Sequence, residues 1–322
     1  MHFSYWNSEN QFVAKAPSGK PEPALWYDLI HPEIEEKNEI GALTGIDIPT
    51  REEMVEIETS SRLYEENGAA YMTAIIPSAT ETDEPLLDPV TFVLTPKTLV
   101  TVRYHEPKSI TLFVTHVNRT RSAPSNSAQV LISLLEAVVD RMADALERLD
   151  RDIDAISASI FGRSGGRGAR GDDFKPILSN LGRKGDAVSR IRAALVTLTR
   201  LDDYLDRSEA RALNTKAMST RITILGTDIK SLLDYADAQN GKIGFLFDAT
   251  LGLMTVEQNT IIKFFSVVAV IFMPPTLIAS LYGMNFHYMP ELSLPWAYPA
   301  VLVLMLISAV LPFLIVKKLG WL

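Results

Sequence analysis

The residues with the clearest chemistry lie on one stripe near the carboxyl end of the chain. Steps of four and three pick out Asp248, Gly252, Thr255, Asn259, Ile262, Ser266, Ala269, Met273, Thr276, Ser280 and Gly283. A 3.5-residue repeat is the seam along which helices supercoil, so it should face copies of itself or a central axis. The seam is mostly small or polar, whereas its neighbours are Phe, Ile, Val and Leu. Small residues let membrane helices approach closely, and packing alone is one use for such a stripe. An ion path is the other. The seam opens with a carboxylate and an amide, Asp248 and Asn259, and ends at a polar turn. Rings of such oxygens attract cations, and an apolar constriction between them gates by drying out.

A membrane helix must position this seam. Phe264 to Tyr282 is 19 residues without a charge, enough to cross a hydrocarbon core of roughly 30 Å. A second uncharged run, Leu294 to Val316, follows after only 11 residues, Gly283 to Ser293, so the two form a tight hairpin. Buried helices of a soluble protein meet the length test too, but rarely as two charge-free spans with matching flanks. Lys263 precedes the first span and Lys317 and Lys318 follow the second, while the loop holds Glu291 and no Lys or Arg. Positive charge marks the cytoplasmic side, so both termini are expected inside and the loop outside. Tyr282, Trp296, Tyr298 and Trp321 stand at interfacial positions. The expected spans are about 261–282 and 294–316, with the outer loop at 283–293.

The loop YGMNFHYMPEL, Tyr282 to Leu292, resembles the signature of the CorA-type magnesium/cobalt transporters, whose Gly-Met-Asn tripeptide closes the first membrane helix. The similarity continues through MPPTLIAS (Met273–Ser280), KKLGWL (Lys317–Leu322), DATLGLMTVEQN (Asp248–Asn259) and IPTREEMVEIETSSRLYEENGAAYMTA (Ile48–Ala74). The resemblance implies a homopentamer with five copies of the first span around one pore in the cell's inner (plasma) membrane. It implies a mouth at Gly283, Met284 and Asn285 that holds a hydrated cation, with Asn259, Asp248 and Thr276 facing the pore. Ile262 and Phe265 fall where relatives place gate residues, a methionine and leucine pair there. Mg2+ is implied both as the transported ion and as a regulatory one, bound by cytoplasmic carboxylates between subunits and holding the pore closed. The candidates here are Asp228, Asp234 and Asp237 in the stalk, with Glu81, Asp83, Glu84 and Asp88 in a proline-flanked loop. Co2+, Ni2+ or Zn2+ are the alternative substrates, with His287 the loop residue that bears on them. A non-conducting, membrane-anchored sensor is the alternative from another class.

Magnesium is small and hard, prefers oxygen ligands and sheds water reluctantly. An amide and loop carbonyls can hydrogen-bond its hydration shell without stripping it. The spans contain no carboxylate, which would be costly at that depth. Glu291, the acid nearest the mouth, either gathers cations by its field or is simply a solvated loop charge.

The rest of the chain has to carry this hairpin. Its 322 residues suit two domains, or one domain with a membrane part. No signal peptide is expected at MHFSYWNSENQF, which lacks a basic head and an apolar core. With no cysteine there is neither a disulfide nor a thiolate metal site. Residues 1–122 read as an α/β unit with a mixed sheet. Its strands lie in ALWYDLI, AAYMTAIIPS, PVTFVLTP and TLVTVRYH, the last two a hairpin across Pro96–Lys97. One helix follows Pro32, with Ile34, Ile40 and Leu43 in apolar register, and a short one starts at Thr50 with Glu53 three residues on. SITLFVTHVNRT suits strand or helix equally.

Residues 123–205 read as an antiparallel helical hairpin. Ser125 or Ser127 caps its first helix, which presents Val130, Leu134, Val138, Met142, Ala145, Leu149, Ile153 and Ile156 on one face up to Phe161. GRSGGRGARG (Gly162–Gly171) forms the tip, and the second helix runs from Asp172 to about Tyr204. A stalk helix, 206–260, meets no proline before Pro274, so stalk and pore lining belong to one helix. Pro274 and Pro275 either kink that helix or merely suit its packing.

Residues 1–95 hold 18 acidic against 5 basic side chains, which excludes nucleic acid as a partner. Five such domains would concentrate divalent cations near the pore, although solvation alone also explains surface acids. No Walker-type phosphate loop occurs, in keeping with passive flux. His31, His105 and His116 are scattered without nucleophile or ligand spacing, so an enzyme is not expected.

Overall fold

The computed structural model describes residues 1–8, 10–15, 24–56, 58–161, 171–207, 216–284, 287, 289–318 and 320. It divides into one unit built from Met1–Arg163 and Ile177–Phe247 and another around Asp248–Leu322. In the first unit a seven-stranded sheet has the order β2-β1-β3-β7-β6-β5-β4. Its strands are β1 (His2–Ser8), β2 (Gln11–Lys15), β3 (Trp26–Ile30), β4 (Leu63–Glu66), β5 (Ala69–Ser78), β6 (Leu86–Leu94) and β7 (Leu99–Arg103). β3 and β7 run parallel and every other neighbouring pair is antiparallel, so the sheet is mixed.

Successive side chains on a strand point to opposite faces. Trp26, Met72, Phe92 and Leu99 enter the core that the long helices cover. Tyr27, Tyr71, Val93 and Val100, each the neighbour of one of these, enter a second core with Ile40, Ile48 and Met54. A sheet covered on both faces needs apolar residues throughout, which is why β7 is buried at every position. In the β6–β7 hairpin Leu94 opposes Leu99. Thr95 Oγ1 holds the turn by accepting from the backbone N–H groups of Lys97 and Thr98.

Four short helices flank the sheet: α1 (Ile34–Thr44), α2 (Arg51–Val55), α3 (Thr59–Arg62) and α4 (Lys108–Thr120). The capping box expected at α2 is present, with Thr50 N donating to Glu53 at 2.7 Å and Glu53 N to Thr50 Oγ1 at 3.3 Å. On α1 the apolar register is narrower than expected. Ile40 is buried, but Ile34 is 69% and Leu43 44% exposed. The open segment SITLFVTHVNRT is helical because Ile110, Phe113 and Val117 share one face and all three are buried.

At the centre of the sheet, Arg103 grips Asp28 with Nε at 3.0 Å and Nη2 at 2.9 Å, and its Nη1 donates to His105 O at 2.7 Å. Thr101 Oγ1 donates to Asp28 at 2.7 Å and accepts from Trp26 Nε1 at 3.0 Å. Every buried charge here has a hydrogen-bonded partner, as burial requires.

α5 (Ser127–Phe161), α6 (Gly171–Arg207) from Ile177 onward and the first part of α7 (Lys216–Tyr282) complete this unit. The cap of α5 is neither serine but Asn126, whose Oδ1 accepts from Gln129 N at 2.8 Å. Ser127 Oγ is diverted to Thr95 O, and Ser125 bonds the Gln129 side chain. The apolar face from Val130 to Ile153 is buried, and it joins Leu181, Val188, Leu195 and Leu198 of α6 with Leu225, Ile229 and Leu246 of α7 in one cluster. Each such side chain contributes about 1.5–3 kcal/mol by leaving water. Most of the expected glycine-rich tip, residues 162–170, lies outside the described residues.

The second unit holds the rest of α7, a 3-10 turn at Pro290–Ser293 and α8 (Ala297–Lys318). Both helices are long and apolar enough to cross a membrane. α7 runs through Pro274 and Pro275 as a helix. α8 starts at Ala297, and the turn before it is closed by Ala297 N donating to Leu294 O at 3.1 Å. Lys317 and Lys318 fall in its last turn, where the helix dipole favours positive charge.

Candidate functional site

Each α7 turn advances 3.6 residues, so Ile262, Ser266, Ala269, Met273, Thr276 and Ser280 fall within about 40° of one line down the helix. All six are exposed in the single chain, as are Asp248, Gly252, Thr255, Asn259 and Gly283, with Ile262 at 53% and Met273 at 70%. On the opposite side Val267 is buried, and Ile271, Pro274, Ile278 and Tyr282 are half-buried. α8 has a matching half-buried stripe at Ala297, Val301, Met305, Ala309, Pro312 and Val316. The polar seam therefore belongs to the broad surface of α7 that its own chain leaves open, a surface that also includes the apolar Phe264, Phe272 and Leu277. Phe265 lies about 60° off the seam at 64% exposure, with its ring edge-on to Phe264 at 5.6 Å.

The hydroxyls on this face are oriented by the helix itself. Thr255 Oγ1 donates to Leu251 O at 3.0 Å and Thr276 Oγ1 to Phe272 O at 2.7 Å. With the proton committed to a carbonyl one turn back, the oxygen offers only lone pairs outward. That suits a hard cation or its water. Pro274 and Pro275 have no N–H, so the carbonyls of Val270 and Ile271 lose their usual helical donors.

At the carboxyl end of α7 Gly283 N donates to Ala279 O at 2.9 Å and Met284 N to Leu281 O at 3.4 Å, which closes the helix. A Cβ at Gly283 would sit 3.1 Å from Ala279 O, so a side chain there would push the carbonyl aside. Met284, His287 and Glu291 are exposed, whereas Asn285 lies outside the described residues.

The proposed regulatory carboxylates are dispersed within one chain. Asp228, Asp234 and Asp237 are exposed on α7, and Asp237 is paired with Arg192 of α6. Glu81 is held by Lys108 and by Arg141, the latter at 3.1 Å. Asp83 accepts from Lys184 at 2.6 Å with Arg148 at 3.6 Å, and Arg148 also donates to the carbonyls of Thr80 and Thr82. Lys108 thus holds the Glu81 carboxyl below its usual range, and Lys184 does the same for Asp83. Glu84 is exposed and Asp88 half-buried, and neither has an ion pair among the described residues. Among those residues no group of three or more His, Asp or Glu could hold a metal within one chain.

One carboxylate has no place in the sequence reading. Asp202 of α6 lies half-buried over Gly226 of α7, where an added Cβ would come 2.2 Å from its Oδ2. Its Oδ1 is buried without a hydrogen bond. Burial first, then Asp203 and Asp206, push this carboxyl up to about 6 against the pull of Lys230. The available signal was an acid directly after Leu201 on the stripe Leu198–Leu201–Leu205, which is buried throughout.

A family model described as CorA-like Mg2+ transporter protein matches residues 22–318. Among curated proteins, the chain is 32% identical over 299 residues to the magnesium transport protein CorA of Yersinia pseudotuberculosis, covering 93% of this chain and 92% of that one. It is 30% identical over 322 residues to the protein of the same name from Escherichia coli K12, covering 99% of each. The fold is similar to the complete structure of the CorA magnesium transporter from Methanocaldococcus jannaschii, with TM-score 0.80 at 18% identity over 100% of this chain and 99% of that one.

Proposed function

Because the chain belongs to the CorA-like Mg2+ transporter family, we propose that five copies surround one water-filled pore carrying Mg2+ down its electrochemical gradient. The observation that supports this most directly is the polar seam on α7, exposed in the single chain from Asp248 to Gly283 and lying opposite a half-buried stripe of the same helix. Five such faces around an axis supply rings of hydroxyl, amide and carboxylate oxygen at successive depths. Gly283, Met284 and Asn285 hold the hydrated ion at the mouth. Ile262 and Phe265 form the apolar constriction, and Asn259 and Asp248 receive the ion at the cytoplasmic end.

Bound Mg2+ at inter-subunit carboxylates, among them Asp228, Asp234, Asp237, Glu84 and Asp88, holds the pore closed. The hairpin spans the cell's inner membrane with both termini cytoplasmic, as its lysine placement favours.

Reconstituted protein in liposomes loaded with a Mg2+-sensitive dye tests this reading. Wild type should admit Mg2+, and Asn285→Ala should lose at least about tenfold of the flux while keeping its oligomeric size, since each acceptor oxygen at the mouth contributes about 1–3 kcal/mol. Unchanged influx in the variant would remove the mouth assignment. Absence of flux for every ion would leave a non-conducting sensor, and flux selective for Zn2+, Co2+ or Ni2+ would change the substrate.

A further inference from the structure

The stretch IPTREEM (Ile48–Met54), which leads into α2 and supplies most of it, takes no part in the ion path. It carries Arg51, one of only five basic residues against 18 acidic ones in residues 1–95. A second of the five, Lys37 of α1, converges with it on a single ring. Arg51 Cζ lies 5.2 Å and Lys37 Nζ 5.9 Å from the centroid of Tyr104. All three line a cavity of about 630 Å³, within the size range of small-molecule sites.

The place of this cavity in the fold is informative. Strands β3 and β7 are the parallel pair, in register from Trp26–Leu99 to Ile30–Arg103. Pro32 and Tyr104, just beyond their carboxyl ends, both line the cavity. In open, mostly parallel α/β sheets ligands bind in the crevice outside the carboxyl ends of the strands, and this single parallel pair ends at a crevice of the same kind.

Both cations are set in position yet remain without a counter-charge. The Thr50–Glu53 capping box fixes Arg51 as the first residue of α2. Lys37 Nζ donates to Pro49 O at 2.9 Å, which leaves it further protons to give. Neither cation has a carboxylate within ion-pair distance among the described residues, although Asp47 and Glu52 line the same cavity. Opposite charges sharing a cavity unpaired are placed for separate parts of one ligand. Ile34, 69% exposed, adds an apolar wall.

We propose that this cavity binds a nucleoside phosphate. The phosphoryl group takes Lys37 and Arg51, which present a point charge and a planar fork. The carboxylates of Asp47 and Glu52 accept from sugar hydroxyls, and the base rests on the apolar wall.

Calorimetric titration of the full chain in detergent, with chelator present so that divalent ions contribute nothing, tests the site with AMP, adenosine and inorganic phosphate. AMP should bind, and Arg51→Gln and Lys37→Gln should each weaken it about tenfold through loss of one charge-assisted contact. Arg51→Lys, the milder change, should keep the charge and lose less. AMP binding absent at millimolar concentration would overturn the proposal, as would adenosine or inorganic phosphate binding as tightly as AMP. Unaltered affinity in both glutamine variants, with melting temperatures equal to wild type, would do the same and leave the two cations as supports for Tyr104.

Discussion

Replacing Asp202 by Asn removes one titration and keeps the shape of the side chain over Gly226. In the folded chain the carboxyl holds its proton up to about pH 6, against 3.8 for the free group. Between those values the folded state binds more protons than the unfolded one, so stability falls as pH rises through the window and is level above it. The gap corresponds to about 3 kcal/mol, at about 1.4 kcal/mol per pH unit. Solvent at the half-exposed edge of the group reduces this to about 1–2 kcal/mol. Asp202→Asn should therefore be more stable than wild type by about 1–2 kcal/mol near neutral pH, and the two should converge near pH 4. Denaturant unfolding of the full chain in detergent, followed by helical circular dichroism at both pH values, measures this. A variant less stable at neutral pH, or one with the same offset at both, would refute the claim that an uncompensated charge lies between α6 and α7.

Arg103→Met should cost about 3–5 kcal/mol, since it leaves the Asp28 carboxylate buried without its cation. Denaturant midpoints would show it, and a loss under about 1 kcal/mol would mean that Asp28 finds another partner. The chain has no cysteine, so single thiols can be introduced without background. Ser266→Cys and Thr276→Cys in membranes should react with a charged thiol reagent at least about tenfold faster than Leu306→Cys, because a thiol facing lipid stays protonated. Equal rates at the three sites would contradict a seam facing water.

The features legible in the sequence are those whose cause is local. Two charge-free runs with lysines at matching ends announce membrane helices, and period alone marks the seam that α7 leaves exposed. Thr50 with Glu53, and the Pro96–Lys97 turn, are equally local. Features decided across the fold were harder to read. In α4, Ile110, Thr111 and Val114 favour a strand, and only packing with α5 settles the helix. β1, β2 and β4 pass unnoticed because HFSYWNS, QFVAK and LYEE mix polar and apolar residues without clean alternation. Glu81 and Asp83 read as candidate Mg2+ carboxylates, yet within one chain cations from α4, α5 and α6 pair with them, Lys184 from 101 residues away. Asp202 stays silent for the same reason. Its proton affinity is set first by burial and then by Asp203 and Asp206.

The strand order has a consequence for how the chain assembles. β4 to β7 form a meander whose neighbours are consecutive, and β1 to β3 pair among themselves, so each half can zip from short loops. Only the β3–β7 joint waits for a partner some 70 residues downstream. Until β7 emerges, β3 presents Trp26, Tyr27 and Leu29 along an unguarded edge, the kind of surface on which other chains are captured. The Asp28–Arg103 fork and the Trp26–Thr101 bond then act as the latch that seals the two halves, because neither can form before both have arrived.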